Sequence, residues 1–249
     1  MAGELRDSHA LVLNSFEHGE SDKILTLLTQ DFGRISCIAK GAKKSKKRFV
    51  NKLEIFSFIQ IQFTDYPNRS LSFLNEAELH TPFLEIRNQF KLYAVSSIIQ
   101  EFLLQSIRER EQDNEVYTLT LWALHNLCIH KSPHTVLALF LIRFFEILGY
   151  RPELSCCHQC GLSINEKSAF FFQFLQGGLL CKNCWTGARQ NPLGRGTIKF
   201  LSSVQDQPLA RLHRINVGTQ ILQESLNLLH HYGRNLLQRD ITSWAMLHL

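Results

Sequence analysis

With 249 residues the chain is long enough to bury a substantial core without crosslinks, and a 45% hydrophobic share against 20% charged residues excludes a disordered or low-complexity protein. Met1 to Ser8 holds Glu4, Arg6 and Asp7 and no apolar run, so no secretory signal is expected. The most apolar stretch, Val136 to Leu148, contains Arg143 and Glu146 and falls short of the roughly 20 residues that span a membrane. A soluble, cytoplasmic protein with no membrane partner is expected. Its formal charge of +5 is unevenly placed: residues 1 to 80 carry 11 Lys and Arg against 10 Asp and Glu, and six of those cations fall between Lys40 and Arg48. After Tyr150 the balance is 10 against 5. Two basic regions suggest an extended polyanion as partner.

From His9 to His80 the chain reads as short strands. Ala10 to Phe16, Lys23 to Thr29, Arg34 to Ala39, Leu53 to Phe63 and Ser70 to Leu79 are rich in branched and aromatic residues. They are separated by His18-Gly19-Glu20, Asp31-Phe32-Gly33, the basic run and Tyr66-Pro67-Asn68. In the fourth, Leu53, Ile55, Ile59, Ile61 and Phe63 alternate with Glu54, Gln60 and Gln62, while Phe56 and Phe58 break the polar face and call for a cover. Lys40-Gly41-Ala42-Lys43-Lys44-Ser45-Lys46-Lys47-Arg48 sets six cations in nine residues with no acid among them. Taken alone, the run fits a solvated loop as well as a phosphate contact. A five-stranded barrel with a basic inter-strand loop is the form in which an OB-fold meets nucleic acid, the loop on phosphates and the strand face stacking bases.

After Thr81-Pro82 the apolar period lengthens from two to nearly four. One helix is expected from Phe83 through Ile86, Phe90, Ile98 and Phe102 towards Arg110. Asp113 caps a second, and Ser132-Pro133 opens a third that Gly149 closes. Apolar almost all round from Leu137 to Leu148, the third helix is expected at the centre of a helical domain, with Arg143 and Glu146 paired on it.

Cys156-Cys157-His158-Gln159-Cys160 is followed, after 20 intervening residues, by Cys181-Lys182-Asn183-Cys184. Two Cys-x-x-Cys knuckles at this distance aim four thiolates at one tetrahedral ion, so Cys157, Cys160, Cys181 and Cys184 are the expected ligands of Zn2+. Four thiolates leave no position for an activated water, which makes the ion structural. Disulfides are the alternative, disfavoured in a chain without an export signal. Cys156 at a wider spacing is a poorer ligand, His158 is expected to point outwards, and Cys37 and Cys128 are expected as buried small hydrophobes.

Three amino-terminal segments, His18-Gly19-Glu20-Ser21-Asp22-Lys23-Ile24, Leu28-Thr29-Gln30-Asp31-Phe32-Gly33-Arg34-Ile35 and Ala39-Lys40-Gly41-Ala42-Lys43-Lys44-Ser45, resemble in order and spacing the bacterial recombination and repair family RecO. So do Leu148-Gly149-Tyr150-Arg151-Pro152-Glu153-Leu154 and Gly177-Gly178-Leu179-Leu180-Cys181 around the knuckles, with a weaker echo at Tyr232-Gly233-Arg234. The resemblance implies an α+β chain, with an OB-fold over residues 1–80 and a helical domain over 81–249 that carries a four-cysteine zinc subdomain at about 151–190. It implies that Arg34, Lys40, Lys43, Lys44, Lys46, Lys47 and Arg48 lie on DNA, single- or double-stranded. Annealing of complementary single strands and help in loading the RecA recombinase onto DNA coated by single-strand binding protein also follow from it. The partners it brings are RecR and the acidic carboxy-terminal tail of single-strand binding protein.

No phosphate loop, Gly-x-Ser-x-Gly or His-Glu-x-x-His motif is present, so a binding protein rather than an enzyme is expected. Glu20 and Asp22, the nearest pair of acids, are expected to order a turn beside Lys23. An RNA-binding or transcription-related protein is the alternative, since an OB-fold with a zinc knuckle also suits RNA.

Overall fold

In a computed structural model that describes residues 3–66, 69–129, 132–164, 168–187 and 191–247, the amino-terminal alternation becomes five strands. They are β1 (Glu4–His18), β2 (Asp22–Thr29), β3 (Gly33–Ala39), β4 (Phe58–Asp65) and β5 (Ser72–Thr81). The strands close a barrel in the order β1-β2-β3-β5-β4, antiparallel throughout except for the parallel β3–β5 pair. Closure removes both sheet edges, and the result is the expected OB-fold. Val12, Leu25, Leu27, Cys37, Ile61 and Phe63 are among the side chains that fill it. Pro67 and Asn68 of the expected fourth turn lie outside the described residues, as do residues 188–190 at the end of the expected zinc subdomain.

The fourth strand begins later than its composition suggests. Leu53 to Ser57 form turns, and Phe56 takes a φ of 65° that no strand residue adopts. Phe56 N–H donates to the Val12 carbonyl at 2.8 Å, while the Ser57 carbonyl accepts from Val12 N–H at 3.0 Å. Val12 is the next residue of β1 beyond the Leu11–Phe58 pair, so its main-chain groups are satisfied by the turn residues Phe56 and Ser57 without a longer β4. The Phe56 ring is buried edge-on against Tyr93, 5.9 Å between centroids, which provides the cover its polar-face position required.

The helices that follow are α1 (Leu84–Asn88), α2 (Phe90–Ser106) and α3 (Asn114–Ile129). The single helix expected from Phe83 is broken at Gln89, which lies at φ −120° and ψ 115° and turns Phe90 outwards, 60% exposed. Asp113 caps α3 as expected, its Oδ1 accepting from the N–H groups of Glu115 and Val116, each at 3.0 Å. Secondary-structure class changes near residue 82, whereas the compact units are Met1–Cys128 and Ile129–Leu249, so α1, α2 and most of α3 pack with the barrel.

Gly33 shows how closely that packing is drawn. Its φ is +64°, and a Cβ there would lie 2.0 Å from the Glu111 carbonyl oxygen. Arg110 N–H donates to the Arg34 carbonyl at 2.9 Å, fixing the same approach. Gly33→Ala is expected to cost about 2 kcal/mol or more, from left-handed backbone and displaced chain together. Urea unfolding measures it; an alanine variant as stable as wild type would contradict the packing.

In the second unit α4 (Pro133–Ile147) is the buried centre, with every residue from Thr135 to Ile142 inaccessible. Ser132 Oγ accepts from Thr135 N–H at 3.4 Å, and Gly149 ends the segment at φ +82°. Three short strands follow, β6 (Glu153–Cys157), β7 (Phe170–Gln173) and β8 (Gly178–Cys181), in the sheet order β6-β8-β7. Then come α5 (Arg195–Gln205), α6 (Leu209–Leu212) and α7 (Thr219–Leu237). Arg143 pairs with Glu146 at 3.4 Å as expected, and also donates to the carbonyls of Gln205 and Gln207, closing the end of α5. Tyr232 on α7 meets Phe145 and Phe172 edge-on, both at 5.4 Å, and donates to the Tyr150 carbonyl at 3.1 Å. It therefore ties α7 to α4 and to the small sheet.

Candidate nucleic-acid interface and metal centre

The basic run is bolted to the barrel. Ala42, Phe49 and Leu53 join the barrel core, so the chain between β3 and β4 closes one end of it with apolar side chains and turns the cations outwards. Gly41, at φ +69°, donates its N–H to Asp22 Oδ1 at 2.8 Å. That bond first, and then one from Ser21, holds the Asp22 carboxyl below its usual range. Lys43 N–H donates to the Ser21 carbonyl at 2.9 Å, and Ser45 Oγ accepts from Phe49 N–H at 3.0 Å. The spacing between the Ser21-Asp22 turn and Gly41 thus has a physical reason: one loop positions the other. Asp22 orders this turn as expected.

The cations of the run differ in what they have left to offer. Lys43 Nζ is paired with Glu17 at 2.6 Å, and Arg48 donates to the carbonyls of Lys40 and Asn75 at 3.1 and 3.3 Å. Lys40 lies 4.9 Å from the centroid of the Phe73 ring. Lys44, Lys46 and Lys47 are exposed and have no acidic partner among the described residues. Arg34 stands apart from them: half-buried, it donates Nη1 to the Leu104 carbonyl at 2.7 Å. Its visible work is to hold β3 to the end of α2.

The basic excess of the second unit is also unbalanced locally. Glu146 and Asp206 are paired with Arg151, Asp240 with Arg234, Glu224 accepts from Gly194 N–H and Thr197, and Glu153 accepts from Ser155. Lys182, Arg195, Lys199, Arg211, Arg214 and Arg239 have no acidic partner among the described residues.

Cys157, Cys160, Cys181 and Cys184 come together as their spacing required, with all four sulfurs within 4.8 Å of one another. Cys157 ends β6 and Cys181 ends β8, so two neighbouring strands deliver the first thiol of each knuckle. The knuckles are closed by Gly161 N–H on the Cys157 carbonyl at 2.8 Å and Cys184 N–H on the Cys181 carbonyl at 3.0 Å. A tetrahedral ion with metal–sulfur bonds of about 2.3 Å needs sulfurs about 3.8 Å apart. Cys160 and Cys181 Sγ are 3.8 Å apart, so the donors fit such an ion. Burial opposes ionisation of Cys157, but N–H groups of Cys181, Cys160 and Gln159 directed at its sulfur prevail and lower the thiol to about 6. β7 pairs with β8 beside the site, Phe170 opposite Cys181, and Phe171 stacks on Trp185 at 5.1 Å. His158 is exposed and outside the cluster, as is half-buried Cys156. Cys37 is buried, and burial pushes its thiol up to about 12. Cys128, expected to be buried, is only half-buried because it stands near the end of α3.

No helix among the described residues is long and apolar enough to cross a membrane. Comparison with known proteins agrees with this architecture. Residues 1–83 match the family model for the recombination protein O N terminal, and residues 87–245 that for the recombination protein O C terminal. A DNA repair protein RecO of Syntrophobacter fumaroxidans is 32% identical over 209 residues, 84% of this chain and 83% of that protein. Its counterpart from Syntrophus aciditrophicus is 29% identical over 243 residues, covering 96% and 94% of the two chains. That of Bifidobacterium adolescentis is 29% identical over 246 residues, 98% and 99%. OB barrel, plugged basic loop, four-cysteine centre and matches along both units lead to one conclusion: the chain belongs to the RecO family of DNA repair proteins.

Proposed function

We propose that this protein is a non-enzymatic recombination mediator that binds single- and double-stranded DNA, anneals complementary single strands and helps load RecA onto DNA coated by single-strand binding protein. The observation that carries the reading is the anchored basic loop. Lys44, Lys46 and Lys47 project from a segment whose apolar residues are locked into the barrel, so little backbone freedom is lost when they meet phosphates. Each contact releases condensed counterions. Cations on the second unit offer a further surface, and two strands neutralised on one protein repel each other less, which favours pairing without nucleotide hydrolysis. Lys40, Lys43 and Arg48 join the interface once phosphate competes with their present partners. Family membership supports RecR and the acidic tail of single-strand binding protein as partners, and a cytoplasmic site of action. The four-cysteine centre holds Zn2+ as a support of the fold, with Cys157, Cys160, Cys181 and Cys184 as ligands.

Annealing of two bare, labelled complementary oligonucleotides tests the reading. Duplex should form faster than it does spontaneously, without ATP, and the strands should remain uncleaved in Mg2+. Absence of acceleration would overturn it, and stronger binding to RNA of matching sequence would favour an RNA-directed role.

A further inference from the structure

Four charged side chains beside the basic loop alternate in sign. Antiparallel register sets Glu17, near the end of β1, opposite Lys23, near the start of β2, so the two share one face. Lys43 donates Nζ to Glu17 Oε2 at 2.6 Å, and Lys23 donates Nζ to Glu54 Oε1 at 3.1 Å. The order is Lys43, Glu17, Lys23, Glu54, and the group is neutral. All four line a cavity of about 310 Å3, whose wall includes the core residues Phe49 and Leu53. That wall is fixed.

The main chains that carry the two lysines are fixed as well. Lys43 N–H is bonded to the Ser21 carbonyl at 2.9 Å, and Lys23 pairs with Ala39 across β2 and β3. The acid between them is the looser member: the Glu17 side chain is 69% exposed and that of Lys43 28%. Lys43, by its hydrogen bond first and its charge second, holds the Glu17 carboxyl below its usual range, and the charge of Lys23 pulls the same way. An anionic oxygen bracketed by two lysines, next to a run of cations, stands where a phosphate would. Exposed ion pairs contribute little in water. A phosphate delivered by a strand already held on Lys44, Lys46 and Lys47 arrives at high effective concentration and displaces the carboxylate.

We infer that Lys23 and Lys43 form a further phosphate site, and that Glu17 fills it in the free protein as an internal competitor which DNA displaces. The inference rests on the reading that the adjacent basic loop binds DNA. It adds to the interface a lysine outside the run, held on Glu54 until the strand arrives. It also gives Glu17 a task. By retaking Lys43 whenever a phosphate leaves, the carboxylate weakens the hold on any one stretch of strand and lets bound strands exchange, which pairing of complementary sequences requires.

The test is equilibrium binding of the full chain to a single-stranded oligonucleotide at about 0.1 M salt, as a double-mutant cycle over Glu17 and Lys43. Glu17→Gln should bind about 3-fold more tightly, the scale of one exposed ion pair. In a Lys43→Ala background the same substitution should lose most of that gain, because the ammonium it releases is gone. Glu20→Gln removes a neighbouring acid that has no cationic partner among the described residues, and should leave affinity nearly unchanged. Lys23→Gln should bind about 5-fold more weakly, the share of one phosphate contact. Equal gains from Glu17→Gln with and without Lys43 would reduce Glu17 to ordinary charge repulsion and overturn the competitor, and a Lys23→Gln variant that binds like wild type would overturn the site. Should neither Glu17→Gln nor Lys23→Gln change affinity while loss of Lys44, Lys46 and Lys47 weakens it, this site fails and the loop stands. Should wild type not bind the strand at all, both fail.

Discussion

Replacing Lys44, Lys46 and Lys47 with alanine should flatten the salt dependence of single-stranded DNA binding by a slope of about 2, from roughly 0.7 per phosphate contact. Extrapolated from 1 M salt, where the counterion contribution vanishes, that is about 100-fold in affinity at 0.1 M. The three side chains are exposed, without acidic partners among the described residues and outside the core, so thermal unfolding should be nearly unchanged. Extending the change to Lys40, Lys43 and Arg48 should bring the total to a slope of about 4. The added loss arrives less cleanly, because Lys43 leaves Glu17 unpaired and Arg48 gives up two carbonyls. An unchanged slope in the triple variant would remove the loop from the interface.

Cys157→Ser should abolish metal binding and unfold the second unit early. Cys157 is 1% exposed at the end of β6, and its sulfur accepts Cys181 N–H at 3.4 Å, so a hydroxyl there is neither a good ligand nor a good fit. Structural ions in small sites supply folding energy outright, and a loss on the order of 4 kcal/mol is expected. In a unit of this size that lowers Tm by more than about 10 °C. Metal analysis should fall from one ion per chain to none, and chelator should reproduce the shift in wild type. Acid should release the ion too, because thiolate ligands must be deprotonated to bind. A variant that lost its metal yet kept its Tm would refute the structural role.

What the sequence disclosed was mostly local. Period-two patterning located the five strands because one face of each is buried, and the two knuckles could be read because zinc ligation fixes ligand spacing. Phe56 misled because an aromatic residue suits a strand, whereas here it sits in a turn, bonds to the Val12 carbonyl and packs on Tyr93. The break at Gln89 was invisible because the apolar period runs through it. Partners distant in sequence carried no local signal at all. Glu17 lies 26 residues from Lys43, and Leu104 lies 70 from Arg34, so neither the neutralised lysine nor the committed arginine could be told from its free neighbours.

The most direct test of the account is annealing of complementary oligonucleotides coated with single-strand binding protein, by wild type and by the Lys44, Lys46 and Lys47 triple alanine variant. Wild type should convert the coated strands to duplex without ATP, and the folded variant should lose most of that rate. Coated strands that stay apart with wild type, or a variant as active as wild type, would contradict the claim that this barrel and its basic loop do the protein's work.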